Sequence, residues 1–238
     1  MKELSLNRIK YLSKLNKKKY RQSEEYALVE GLRAVDHIIE HGIEIDYIIS
    51  TQKSSPYQNI DFYNTDQKSM QRISDTKNPQ SIAALVKIPK PKLFNRKRLV
   101  FLDNVKDPGN LGAMFRISQA AGIDGIILSS QSCDPFNPKA VRASMGCVFT
   151  LPYSVDGKDF LFENDFYIIA TKLKNGINIF KLEKKPDEFV LCIGSEAFGL
   201  DEKIIEKSDL RIYIPLENNV ESLNASVAAG ICIYNLIY

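Results

Sequence analysis

Three apolar runs beyond residue 97 of this 238-residue chain each break into a segment rich in Gly, Pro, Asn and Ser, and that recurring join constrains the fold more than any other feature. The segments are residues 103–116 (DNVKDPGNLGAMFR), 194–200 (GSEAFGL) and 214–226 (IPLENNVESLNAS). Residues 98–103 (RLVFLD) read as a strand buried on both faces, the kind found in parallel sheets. Further strands are predicted at 125–128, 166–170, 190–193 and 211–214, with helices near 110–121, 138–145, 202–207 and 222–236 between them. Strands alternating with helices imply a parallel sheet covered on both faces. Ligands of such sheets bind beyond the carboxyl ends of the strands. All three segments follow strands directly, so they belong on that edge and predict one assembled site.

The composition breaks at residues 88–98 (IPKPKLFNRKR), where two prolines and five Lys/Arg in eleven residues cannot pack a core. The reading is a domain at 1–88, a linker at 89–97 and a second domain at 98–238. In the first, helices are predicted at 6–15, 31–41 and 67–73, and strands at 26–30, 45–49 and 82–87, which makes a small α/β sandwich. The formal charge of +3 is unevenly spread. Residues 1–98 carry 19 Lys/Arg against 11 Asp/Glu, a net of +8, and residues 99–238 carry 13 against 18, a net of −5. The densest basic runs are Lys17-Lys18-Lys19 with Arg21, and Arg96-Lys97-Arg98. Each alone reads as a solvated helix end or linker; together they suggest that the first domain meets a polyanion.

Several classes are excluded or disfavoured. No stretch approaches the roughly 18 apolar residues of a membrane span. The first twenty residues have scattered charges and no apolar core, so no secretory signal is read there. Cys133, Cys147, Cys192 and Cys232 are widely spaced, without a CxxC pair or neighbouring histidines, so they read as reduced thiols of a cytoplasmic protein with no metal site. There is no GxxxxGK[ST] and no GxGxxG. The only histidines are His37 and His41, both in the first domain, so the second has no imidazole for a triad-type hydrolase. Its chemistry must suit Asn, Arg, Glu and Ser. Taken singly, each candidate has a plain reading. Ser222 would be a helix N-cap, Asp107-Pro108-Gly109 a turn, Ile214 and Leu223 core residues, and Glu196 a surface carboxylate.

Taken together they form an ordered set: Asn104, Asp107-Pro108, Asn110, Gly112 and Arg116; then Gly194, Glu196 and Gly199; then Ile214-Pro215 and Ser222-Leu223-Asn224-Ala225-Ser226. With these motifs in this order, the chain resembles the SpoU/TrmH family of RNA ribose 2′-O-methyltransferases, in the SPOUT superfamily. Residues 141–152 (VRASMGCVFTLP) are also similar to the family's stretch between its first and second motifs. The chain departs from the pattern at Ala197, where the family more often has Gly, and at Glu217-Asn218-Asn219, where a Gly is common. Asn best tolerates left-handed geometry among non-Gly residues, so the second departure reads as harmless.

The resemblance implies a trefoil-knotted, parallel-sheet α/β domain with S-adenosylmethionine in the knot, held by Gly194, Gly199, Ile214, Pro215 and Leu223. It implies a catalytic group of Asn110, Arg116, Glu196, Ser222 and Asn224. The family role of Arg116 is at the 2′-hydroxyl; because a guanidinium stays protonated in proteins, it is assigned here to holding phosphate and hydroxyl. Asn110 and Asn224 would orient the loops and ribose, Glu196 would anchor neighbouring side chains, and Ser222 would bond across the site or cap the last helix. Residues 29–35 and 74–86 are similar to the family's smaller L30e-like RNA-binding domain, which would turn Glu30, Gly31 and Arg33 toward a phosphate beside Lys17, Lys18 and Lys19. The implied substrate is structured RNA, with 23S rRNA favoured and transfer RNA the alternative. A relative that keeps the fold as an inactive RNA-binding or ribosome-assembly protein is the rival. A homodimer through the methyltransferase domain is implied, with Ala225, Ala228, Ala229 and Gly230 of the last helix allowing close packing.

Overall fold

The computed structural model describes residues 2–54, 57, 59–91, 97–172, 176–195 and 198–238, so Glu196, Ala197 and residues 92–96 of the expected linker lie outside the described residues. The chain forms two compact units, Met1–Lys90 with Asp134–Thr150, and Pro91–Cys133 with Leu151–Tyr238. The first unit thus also holds residues 134–150, which follow the linker in sequence.

The first unit starts with β1 (Lys2–Glu3), α1 (Leu6–Lys14), α2 (Lys18–Glu24), β2 (Tyr26–Glu30) and α3 (Leu32–Glu40). It continues through β3 (Ile45–Ser50), β4 (Phe62–Asn64), α4 (Gln67–Ile73) and β5 (Ile82–Lys87). These strands make a mixed sheet of order β1-β4-β3-β5-β2. Its core joins Leu12 and Leu15 of the first helical stretch to Met70, Ile73, Ile49 and Leu85.

The second unit contains β6 (Arg98–Leu102), α5 (Pro108–Ala120) and β7 (Gly125–Leu128). The chain next forms α6 (Pro138–Ser144) and α7 (Cys147–Thr150), which belong to the first unit. Specific ties place them there. Arg21 donates to the Asp134 carboxylate at 2.6 Å and to Leu15 O at 2.6 Å, and Arg142 pairs with Asp75 and lies 3.9 Å from Glu30. Gly146 (φ +89°) leaves room against α3, where a Cβ would fall 3.1 Å from Ala34 O and 3.3 Å from Ile38. His37 meets Thr150 Oγ1 at 3.0 Å.

The second unit resumes with β8 (Tyr153–Val155), α8 (Lys158–Glu163), β9 (Ile168–Thr171), β10 (Ile177–Asn178), β11 (Phe189–Ile193), α9 (Glu202–Lys207), β12 (Leu210–Tyr213) and α10 (Ala225–Ile237). Its strands form one seven-stranded sheet, β10-β12-β9-β11-β6-β7-β8, in which every pair is parallel. The fold is thus α/β with a parallel sheet, as read from the alternation. In chain order β9 is laid down one place away from β6, and β11 later fills the slot between them. The core follows from the apolar runs: Leu99, Phe101, Ile127, Val190 and Cys192 on the strands pack with Leu161, Ile204 and Ile205 on α8 and α9. Among the described residues no helix is long and apolar enough to cross a membrane.

Candidate functional site

The three Gly- and Asn-rich segments leave the carboxyl ends of β6, β11 and β12, on one edge of the parallel sheet. After β11 the chain doubles back on itself. Ser195 N–H donates to Gly199 O at 3.1 Å, and Gly199 N–H donates to Ser195 O at 2.9 Å. Gly199 turns through φ +69°, which favours glycine. Gly194 is pressed so closely on this return that a Cβ would fall 2.1–2.2 Å from Gly199 C, Gly199 O and Leu200 N. No side chain fits at Gly194 without moving backbone.

After β12, Asn218 (φ +55°) and Asn219 (φ +57°) adopt the left-handed conformation expected of residues standing where Gly is common. The segment ends at Asn224, whose Oδ1 accepts Ser226 N–H at 2.9 Å and Val227 N–H at 3.3 Å. The N-cap of α10 is therefore Asn224 and not Ser222, because the helix starts three residues later than its apolar pattern suggested. Asn224 also reaches across the site, where its Nδ2 donates to Asn110 Oδ1 at 2.9 Å. Asn110 sits in the first turn of α5, which Asp107 caps by accepting Asn110 N–H at 2.9 Å, with Pro108 at the first helical position. The first and third segments are joined side chain to side chain.

A cavity of about 590 Å³ opens between the ends of β9, β11 and β12 and helix α10. Its size lies within the roughly 300–1,000 Å³ typical of small-molecule sites. Gly194, Gly199, Ile214, Leu223 and Ser222 line it. Pro215 is not among the lining residues, though its neighbours Ile214 and Leu216 are. Asn110, Asn224 and Arg116 are also not in the lining. Asn224 stands between Leu223 and Ala225, which are, and Arg116 lies on the exposed face of α5.

Sequence reading missed Thr171, Lys172, Phe198, Glu202 and Cys232 in the cavity wall. Only Phe198 and Glu202 lay near a motif; the others come from strands and a helix with no unusual composition. Ala225, Ala228 and Ala229 face the cavity, and a Cβ on Gly230 would lie 3.6 Å from Ile117 of α5 in the same chain.

The wall is largely apolar and offers little acid–base chemistry. Lys172 Nζ lies 3.8 Å from the Glu202 carboxylate. The Cys232 thiol is pushed up to about 12 by burial, which keeps it neutral at physiological pH. Such a cavity suits binding and orientation of a ligand that brings its own reactivity.

In the first unit the expected anion-facing residues divide. Lys17, Lys18, Lys19 and Arg33 are exposed, Lys17 standing at the N-cap of α2. Glu30 is instead turned inward: it is 9% exposed, and the Ser74 hydroxyl donates to its carboxylate at 2.8 Å. Burial pushes its carboxyl above the usual range, with Ser74 and Arg142 acting in the opposite direction. Gly31, at φ +98°, gives its N–H to Ile82 O at 2.9 Å. Neither residue is presented to a phosphate by these bonds. Arg142, from the later part of the chain, lies 3.9 Å from the Glu30 carboxylate.

Comparison with known proteins adds to this geometry. Residues 97–234 match the model of the SpoU rRNA Methylase family, and residues 7–84 match that of the MRM3-like substrate binding domain. The chain is 32% identical over 237 residues to the 23S rRNA (guanosine(2553)-2′-O)-methyltransferase RlmP of Bacillus subtilis (strain 168), covering 96% of this chain and 95% of that one. It is 29% identical to the 23S rRNA (adenosine(1067)-2′-O)-methyltransferase of Streptomyces azureus, covering 91% and 88%. The crystal structure of AdoMet-bound rRNA methyltransferase from Sinorhizobium meliloti superposes with a TM-score of 0.85 at 27% identity, covering 99% of this chain and 96% of that one.

Proposed function

The chain belongs to the SpoU rRNA Methylase family, and on that premise we propose that it methylates a ribose 2′-hydroxyl in 23S rRNA with S-adenosylmethionine as donor. The observation that carries the reading is the apolar cavity whose rim is tied, through the Asn224–Asn110 bond of 2.9 Å, to the helix that bears Arg116. The Bacillus subtilis and Streptomyces azureus 23S rRNA enzymes, similar along nearly their whole length, support the substrate class. Transfer RNA is the alternative.

S-adenosylmethionine, when bound, supplies a methyl group already activated on a sulfonium sulfur. The chain's own residues have to hold, align and exclude water. The close return at Gly194 and Gly199 leaves backbone groups facing the cavity without side chains in the way. Ile214 and Leu223 supply apolar surface for a flat adenine, and Pro215 stiffens the chain between Ile214 and Leu216. Arg116 does not act as a base. It binds the phosphate next to the target ribose bidentately and steadies the hydroxyl, and the proton leaves to phosphate oxygen or water. Asn110 and Asn224 hold the loops that flank the ribose, and Ser222 bonds across the rim.

The seven-stranded sheet is assigned the trefoil knot of its family, formed where the last segment passes to α10. The first unit is assigned an L30e-like fold whose Lys17, Lys18, Lys19 and Arg33 contact the RNA backbone, in keeping with the net +8 of residues 1–98. The exposed Val227 and Tyr234 of α10 and Tyr238 after it are assigned to a homodimer contact through the methyltransferase domain. A cytoplasmic setting follows from the RNA substrate.

The test is transfer of tritiated methyl from S-adenosylmethionine to total RNA from a strain lacking this protein. Label is expected in 23S rRNA, in a nucleotide resistant to alkaline cleavage, and lost in Arg116→Ala while calorimetric binding of S-adenosylmethionine is kept. Label in transfer RNA would replace the substrate. A fully active Arg116→Ala variant would remove Arg116 from the centre, and a wild-type protein that binds RNA without transferring methyl would favour the inactive relative.

A further inference from the structure

Asp103 directly follows β6, and the proposed methyl transfer leaves it without a role. Its two polar ends both reach the loop that follows β11. The backbone N–H of Asp103 donates to Ile193 O at 2.8 Å, one residue before Gly194. Its Oδ2 accepts Asp201 N–H at 3.0 Å, one residue after Leu200. One residue thus holds both feet of the loop. The loop's internal bonds, between Ser195 and Gly199 and from Phe198 N–H to Ser195 Oγ at 3.2 Å, set its shape but not its place on the sheet. Gly194, Ser195, Phe198, Gly199 and Leu200 all line the cavity, so where the loop sits decides whether the cavity has its wall.

Downstream, the same residue leads into the substrate side. Asn104, at φ +57°, gives its N–H to Ser129 Oγ at 2.8 Å, and four residues beyond Asp103 is Asp107, which caps the helix of Asn110 and Arg116. We infer that Asp103 is a positioning residue that registers the cofactor-binding loop against the segment carrying Asn110 and Arg116. The inference rests on the proposed methyl transfer.

The surroundings of Asp103 fit this role. Burial pushes the Asp103 carboxyl above its usual range; the Asp201 N–H and Lys158 draw it down, and the Asp201 carboxylate draws it up. Asp201 is itself committed, accepting Lys203 N–H at 2.9 Å as the cap of α9 and pairing with Lys158. Its carboxylate therefore has other partners, and the bond that fixes the loop's second foot is its backbone N–H.

Binding of S-adenosylmethionine to the full chain, measured by calorimetry, and steady-state methyl transfer test the inference. In Asp103→Ala the Kd and KM for S-adenosylmethionine should rise about tenfold, the scale of one lost hydrogen bond to a charged group. Asp103→Asn keeps an oxygen that accepts the Asp201 N–H and should stay nearer wild type. A second pair of variants removes the partner. At φ −54° position 201 accepts proline, so Asp201→Pro deletes the N–H and Asp201→Ala keeps it. Weaker binding in the proline variant than in the alanine variant is expected, including if Asp103→Ala proves too unstable to assay. Equal Kd for wild type and Asp103→Ala, or equal Kd for the two Asp201 variants, would overturn the inference. A wild-type chain that does not bind S-adenosylmethionine would overturn the functional reading instead, which is a separate result.

Discussion

Glu30 shows what a single misplaced side chain does to a functional reading. Next to Gly31 at a helix start it looks like part of an anion site, yet it lies inside, bonded by Ser74 and 3.9 Å from Arg142. Its native carboxyl is raised above the ordinary 4.5 by burial, so the native state favours its protonated form. Its contribution to stability is then fully present below about pH 4.5 and lost as pH rises through the raised value. Replacing it with the neutral isostere should remove that loss. Urea midpoints of wild type and Glu30→Gln should agree at acid pH and diverge in favour of the variant toward neutrality. A difference that does not change with pH, or that grows in favour of wild type, would contradict this.

At the scale of elements, the bond between Asn224 and Asn110 links the starts of α10 and α5. Losing an Asn N-cap costs about 1 kcal/mol. Asn224→Ala should cost that and the inter-helix tie as well, so a double-mutant cycle with Asn110→Ala should show coupling of about 0.5 kcal/mol or more in urea unfolding. Strict additivity would mean that the two side chains act separately. The sequence showed elements such as β2, β5, β7, α4 and α9 clearly, because each is a short apolar or amphipathic run between breakers. It hid α2, whose one buried residue is a charged one, Arg21, with its partner Asp134 standing 113 positions away. It hid β4 and β10 because two or three residues carry no periodicity. The site divides in the same way. Gly194 and Gly199 were readable because close approach and a positive φ demand glycine, and Asn224 because a helix start favours a side chain that accepts backbone N–H groups. Thr171, Lys172 and Cys232 are ordinary residues delivered by strand order and helix position, which no local pattern records.

For the whole molecule the governing fact is that residues 134–150 complete the first unit although the second unit surrounds them in sequence. Arg21 is 2% exposed and its guanidinium depends on Asp134, so Asp134→Ala should destabilise the protein by about 3–5 kcal/mol, the usual effect of leaving one buried charge alone. Adding Arg21→Met should recover much of the loss in the same denaturation experiment, and failure to recover would show that the pair is not the source. The arrangement also sets a timetable for biosynthesis. When residue 90 leaves the ribosome, Arg21 and Glu30 are in place but Asp134 and Arg142 have not been made. The opening unit therefore waits, with an incomplete interior, until residue 150 has emerged. A stop or pause between those points would strand a segment with exposed apolar surface, the species on which chaperones act.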